Sequence, residues 1–277
     1  MSIGVNTIAP LLSTHALTLR VGARTLVEGL TQQFGAGEIW CVAGANGAGK
    51  TTLISALAGL RTSAAGHVEV DGIALRDWPP ARLAQRRALM PQDVRDAFSA
   101  SVLDIVLLNR YPYLAGWGWE SDVDRDAAHA ALARLGLEAF AARDVLSLSG
   151  GERQRVALAA VLCQDAPLLL LDEPLAHLDL HHQIACLEAL RQWVGVEART
   201  VVLSCHDLNL ARRYATHALL LDGKGGCCAG PVREVLTAAR ASEAFGHPLV
   251  LIRDGPHEAL VPALEQASPT YETRESR

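Results

Sequence analysis

No apolar run in the sequence is long enough to cross a bilayer: segments such as VALAAVLC and PLLLLDE are less than half of the roughly 20 residues a spanning helix requires. C-x-x-C spacing is absent as well. The six cysteines (Cys41, Cys163, Cys186, Cys205, Cys227, Cys228) are scattered through apolar segments, which argues against a disulfide or zinc framework and for reduced thiols in a core. There is no long basic block, and the net charge is −5. Nonspecific nucleic-acid binding needs concentrated Lys and Arg to neutralise phosphates, so no nucleic-acid partner is expected. The amino terminus carries no positive residue ahead of its apolar stretch, and His15 interrupts that stretch. A secretory signal is therefore not expected, and the cytosol is the expected compartment.

What is present suits a large globular domain, with 277 residues of which 50% are hydrophobic. GEIWCVAG, Gly37–Gly44, is a short apolar run ending in glycine. KTTLISALAGL places Leu53, Ile54, Leu57 and Leu60 on one helical face. GHVEVDGIAL reads as a strand with a tight turn at Asp71 and Gly72, and WPPARLAQRRALMPQ as a proline-started helix leading to a strand that ends near Met90. From Ser99 to about Leu146 the pattern is helical, with Ser101 and Asp104 marking a helix start. Apolar strands return at PLLLLD, TVVLSC and HALLLD, separated by helical patterns. This alternation predicts an α/β fold with a mainly parallel sheet covered on both faces. The last residues, QASPTYETRESR, read as a polar, frayed tail.

Three stretches carry chemistry. Gly44-x-x-x-x-Gly49-Lys50-Thr51 has phosphate-loop spacing between a strand and a helix. Backbone N–H groups of Gly44, Ala45, Asn46, Gly47, Ala48 and Gly49, with Thr52 in the first helical turn, are candidates to cradle phosphate. Lys50 would reach the β- and γ-phosphates and Thr51 would ligate Mg²⁺. The run Leu168–Leu171 delivers Asp172 and Glu173 at its end: one carboxylate to hold Mg²⁺ through water, the other to orient or deprotonate an attacking water. LSLSGGERQRVALAA sets Ser149, Gly150 and Gly151 at a helix start, a second anion site that one phosphate loop in the same subunit does not require. A capped surface helix would have the same sequence features. His177, His181 and His182 are close in sequence, and His177 and His181 are four apart as a ligand pair on a helix would be, but a third ligand to complete that pair is not evident and a metal site is not expected there.

LSGGERQ resembles the signature of the ATP-binding-cassette (ABC) ATPases, over nearly the whole chain. The resemblance implies a P-loop NTPase of RecA-like fold with an inserted helical subdomain and an N-terminal antiparallel β portion. It divides one domain of residues 1–265 into a core (1–92 and 147–235), a helical insert (93–146) and a C-terminal extension (236–265), ahead of the tail at 266–277. It implies ATP and Mg²⁺ as ligands and a head-to-tail pair of copies, each ATP lying between one phosphate loop and the other copy's Ser149, Gly150 and Gly151. Gln92 in LMPQD matches the glutamine loop, which touches Mg²⁺ and water. Asp179 in LAHLD matches the loop that crosses the dimer interface, and His206 in LSCHDL the switch histidine. The aromatic residue that many cassettes stack on adenine is replaced by Val21, leaving Arg20 or Arg24 for that role.

FSASVLDIVLLNRYPYLAGW, with Asn109 where glycine is usual, and LDEPLAHLDLHHQ are similar to ATPases of metal-chelate importers. That group takes up ferric siderophores, haem and cobalamin. Its partners are two membrane permease subunits and, indirectly, a periplasmic binding protein, which places the chain at the cytoplasmic face of the inner membrane. An exporter ATPase and a soluble cassette protein are the alternatives within the fold. A P-loop kinase would lack the signature, and a GTPase would show N-K-x-D, which is absent.

Overall fold

The computed structural model describes residues 10–93, 98–114, 120–196 and 198–263. The expectations for the first nine residues, for 115–117 of the insert and for the tail at 266–277 fall outside the described residues.

The chain opens with a hairpin of β1 (Leu12–Val21) and β2 (Arg24–Phe34), then enters the interior as β3 (Ile39–Ala43) and turns through a glycine-rich loop into α1 (Lys50–Leu57). β4 (Ala65–Val70) and β5 (Ile73–Ala74) follow, joined at Asp71 and Gly72 in left-handed backbone. They extend the hairpin into a four-stranded antiparallel sheet of order β2-β1-β4-β5. Next come α2 (Pro80–Arg86), with proline at its first position, and β6 (Arg87–Met90). α3 (Val102–Leu107), a 3₁₀ segment and α4 (Asp122–Arg134) form the helical insert. α5 (Gly150–Gln164), β7 (Leu168–Leu171), α6 (Leu180–Val194), β8 (Thr200–Ser204), α7 (Leu208–Tyr214) and β9 (His217–Leu221) complete the core. β10 (Cys227–Pro231), α8 (Val232–Val235), α9 (Ala238–Phe245) and the hairpin of β11 (Leu249–Asp254) and β12 (His257–Pro262) end the described chain. The central sheet runs β10-β9-β3-β8-β7-β6, parallel throughout except for the edge strand β10.

Period-two alternation explains how the sheet is buried on both faces. Ile39, Cys41 and Ala43 enter one apolar cluster with α5 and the insert, whereas Trp40 and Val42 enter the other, with α1 and the antiparallel sheet. Leu169 and Leu171 of β7 likewise join the first cluster, and Leu168 and Leu170 the second. Cys41, Cys163, Cys186 and Cys205 are buried free thiols, and Cys227 and Cys228 are half-buried. The sequence placed Leu60 on the apolar face of α1. Instead the helix stops at Leu57, Gly59 adopts φ 76° and Leu60 is 67% exposed. A left-handed glycine ends the helix and turns the next side chain out of register with the core.

Candidate functional site

The functional side chains stand at the carboxyl ends of neighbouring parallel strands. The glycine-rich loop follows β3, His206 follows β8, Glu173 follows β7 and Gln92 follows β6, so sheet order alone brings distant sequence together. The crevice beyond such strand ends is where open α/β sheets bind ligands. Here it is a cleft of about 770 Å³, the size of a nucleotide-scale ligand site. Its walls are Asn46, Gly47, Gly49, Lys50, Thr51 and Thr52 of the loop and α1, then Gln92, Glu173 and His206, with Val21, Arg24 and Leu26 from the antiparallel sheet.

Two glycines in the loop have no substitute. At Gly44, φ is 150° and a Cβ would lie 2.8 Å from the Leu221 carbonyl oxygen. At Gly49, φ is 112° and a Cβ would lie 3.0 Å from the Leu26 Cβ. Gly49 caps α1 with no side-chain hydrogen bond, leaving first-turn N–H groups to an anion. Lys50 is buried and donates to the carbonyls of Gly44 (2.9 Å) and Ala45 (3.2 Å). Burial lowers its pKa, while Glu173 and Asp172 oppose that shift. Thr51 Oγ1 donates to Gln92 Oε1 at 3.4 Å. Gly44, Ala45 and Ala48 shape the loop from behind the walls, and Ala48 is itself buried.

Glu173 and His206 meet, with His206 Nε2 2.8 Å from Glu173 Oε1. Glu173 sits at φ 51°, a strained backbone for a side chain of this size. Neighbours hold it there: its N–H donates to Ser204 Oγ (2.7 Å) and its carbonyl accepts from Gln154 Nε2 (2.8 Å). Ser204 Oγ in turn donates to Asp172 Oδ1 (2.7 Å). Asp172 is 2% exposed and is not a wall of the cleft. Sequence reasoning missed Ser204 and Gln154. A hydroxyl closing the apolar run TVVLS was the available signal for the first, and a glutamine within the signature for the second.

Val21 does line the cleft, as does Arg24, whose Nη2 donates to the Gly223 carbonyl at 2.7 Å; Arg20 is not among the walls. Ser149, Gly150, Gly151 and Asp179 are not among the walls either. Ser149 caps α5 in a reciprocal box with Glu152, whose carboxylate accepts the Ser149 N–H at 2.7 Å. Asp179 caps α6 by accepting the His182 N–H at 2.8 Å. Gly151 has a packing reason, because a Cβ there would lie 3.1 Å from the His177 carbonyl oxygen. Among the described residues nothing within 4 Å would meet a Cβ at Gly150.

Comparison with known proteins agrees with this architecture. The hemin import ATP-binding protein HmuV of Streptomyces coelicolor is 41% identical over 239 residues, 86% of this chain and 84% of that one. The cobalamin import ATP-binding protein BtuD of Halobacterium salinarum is 41% identical over 234 residues, 84% of this chain and 58% of the relative's length. Among solved structures, a metal-chelate type ABC transporter in an inward-facing conformation superimposes with a TM-score of 0.80 at 30% identity, covering 92% of this chain and 98% of that one. The ABC transporter family itself matches residues 27–176, from the antiparallel sheet through the phosphate loop, the signature and Glu173. A phosphate loop, a signature helix and a carboxylate–histidine pair on one parallel sheet, together with these matches, make the chain a member of the ABC transporter family.

Proposed function

We propose that the chain is the ATP-binding and hydrolysing subunit of an importer that takes up a metal chelate, such as haem, cobalamin or a ferric siderophore, across the inner membrane. The observation that carries the enzymatic reading is the Glu173–His206 pair on the wall of the cleft that also holds the phosphate loop. The importer reading rests on the haem and cobalamin relatives and the metal-chelate transporter structure.

The uncapped start of α1, the buried Lys50 and the cleft volume fit a nucleoside triphosphate. Backbone N–H groups of Gly44, Ala45, Asn46, Gly47, Ala48 and Gly49 receive the phosphates, Lys50 neutralises the β- and γ-oxygens and Thr52 supports the first turn. Thr51 and Gln92, with Asp172 through water, would hold Mg²⁺, which when bound offsets charge on the leaving phosphates. Glu173 accepts the proton of the attacking water. His206 holds the Glu173 carboxylate in place and presents an imidazole to the γ-phosphate.

Ser149, Gly150, Gly151 and Asp179 complete the site of a second copy. Their absence from the walls of their own chain's cleft supports this, as does Gly150, whose small size no contact among the described residues requires. Residues 1–265 work as one domain, the core (1–92 and 147–235) moving against the insert (93–146), with 236–265 as an extension. Two permease subunits dock near Gln92 and Phe98 at the cytoplasmic face, and a periplasmic binding protein delivers the chelate to them. Phe98 is a large apolar residue 62% exposed, which suits a docking contact.

Uptake of labelled haem, cobalamin and ferric siderophore by cells lacking the chain tests this reading. One of the three is expected to be lost and then restored by the wild-type chain, but not by Lys50→Ala. Phe98→Ala is expected to lower uptake while ATP hydrolysis by the isolated chain is kept. Unchanged uptake of all three in the deletion strain would contradict the proposal.

A further inference from the structure

Away from the nucleotide cleft, four polar side chains converge on one face of the antiparallel sheet. In the pairing of β1 with β4, His15 stands opposite His67 and Ser13 opposite Glu69. Alternate residues share a face, so these four lie on the side opposite Leu12, Val68 and Val70, which enter the core. The two imidazoles stack with centroids 4.8 Å apart and planes 15° from parallel. Each turns Nε2 to a different oxygen of one carboxylate: His15 Nε2 lies 3.1 Å from Glu69 Oε2, and His67 Nε2 lies 3.1 Å from Glu69 Oε1. Ser13 Oγ is 3.2 Å from His15 Nε2. None of the four lines the cleft.

The backbone holds this arrangement. Ala16, next to His15, has φ 46°, and Gly66, next to His67, packs so closely that a Cβ would lie 2.3 Å from the carbonyl oxygens of His15 and Ala16. Only glycine permits that approach, which fixes the two histidines opposite each other.

A hydrogen-bonded staple between strands would account for the contacts, but the donor set and spacing suit something more specific. With metal–nitrogen bonds of about 2.0–2.1 Å and metal–oxygen bonds of about 2.0–2.2 Å, neighbouring ligand atoms stand roughly 2.9–3.4 Å apart. Each His–Glu distance falls in that window, one to each carboxylate oxygen, and with one ligand atom taken from each of the three residues all lie within 4.8 Å of one another, wider than the window and closed by side-chain rotation when an ion binds. His15 and Glu69 are half-buried and His67 is exposed, so the side chains can close further by rotation and the ion has a route in. Two imidazoles and one carboxylate favour Zn²⁺, Ni²⁺ or Cu²⁺ over Mg²⁺ and Ca²⁺. We propose that His15, His67 and Glu69 bind one divalent transition-metal ion of the Zn²⁺ class, with water completing the coordination. This site is separate from the Mg²⁺ position beside Thr51. The ion joins β1 to β4, and β1 runs on to Val21 on the cleft wall.

The test is equilibrium dialysis of the chelator-treated full chain against Zn²⁺, for wild type, the double variant His15→Asn/His67→Asn, and Glu69→Gln. Wild type is expected to hold one more equivalent at micromolar free Zn²⁺ than the double variant. Glu69→Gln is expected to weaken that equivalent by about tenfold or more, and millimolar Mg²⁺ to leave it in place. Zinc held at His177, His181 and His182 or by cysteines is common to all three proteins and cancels. Equal stoichiometry and affinity in wild type and both variants would overturn the proposal. Unchanged ATP binding shows that the variants are folded, and the near-isosteric Glu69→Gln keeps the test available if the double variant does not fold.

Discussion

Glu173 is held by its neighbours on three sides: Ser204 takes its N–H, Gln154 donates to its carbonyl and His206 meets its carboxylate. The strained φ of 51° is therefore fixed before any ligand arrives, and the carboxylate needs no rearrangement to face the cleft. Replacing it with an amide keeps the shape but removes the base of the proposed mechanism. Glu173→Gln is expected to lower ATP hydrolysis by about 10²–10⁴-fold while ATP affinity, measured by equilibrium binding, stays within a few-fold of wild type. Hydrolysis at a near wild-type rate would remove Glu173 from its role. Val21 is the opposite case, a cleft residue 46% exposed with no aromatic face to offer a base. The phosphates must then supply most of the binding energy, and ATP and GTP are expected to compete within about a hundredfold of each other, roughly 2.7 kcal/mol. A larger preference for ATP would mean that Arg24 or another group reads adenine.

At the scale of elements, the insert is fastened by a residue whose place in the sequence did not disclose its work. Arg110 donates through Nε to Asp124 Oδ1 (2.8 Å) and through Nη1 to the Cys163 carbonyl (3.1 Å), and its guanidinium lies 4.2 Å from the Tyr113 ring centroid. It thereby links the 3₁₀ segment, α4 and α5. Asp124 also accepts from the hydroxyl and N–H of Ser121, and with Arg110 these bonds lower its pKa to about 2. A carboxylate whose folded pKa lies below its unfolded value of about 3.9 stabilises the fold fully above that value and loses the contribution as pH falls through about 2. Asp124→Asn is expected to cost about 1–3 kcal/mol at pH 7, with a smaller difference from wild type at pH 3, both read from urea unfolding. A difference that does not change with pH would show that the charge is not what matters. Strands, the phosphate loop and the proline-started α2 were legible because each is written in consecutive residues. The Arg110 clasp, Gln154 and Ser204 were not, because their partners are brought to them by tertiary packing across 14, 19 and 31 residues. Leu60 misled for a local reason, since periodicity carried the helix past the glycine that ends it.

At the scale of the whole molecule, the proposed site residues fall into two groups, one lining the cleft and one outside its walls. The cleft has the glycine-rich loop, the Glu173 carboxylate and the His206 imidazole, while Ser149, Gly150 and Gly151 sit at the start of α5 and are not among its walls. On the proposed reading, ATP held between two copies unites the halves, and hydrolysis separates them. Glu173→Gln stops the separation, so the ATP-bound pair should persist long enough to weigh. The direct measurement is the mass in solution of Glu173→Gln, alone and combined with Ser149→Arg, with ATP, with ADP and without nucleotide. The account predicts twice the chain mass for Glu173→Gln with ATP only, and the single-chain mass in every condition for the double variant, whose arginine obstructs the closed site without touching the phosphate loop. A Glu173→Gln protein that binds ATP and keeps the single-chain mass, or a dimer that survives Ser149→Arg, would contradict it.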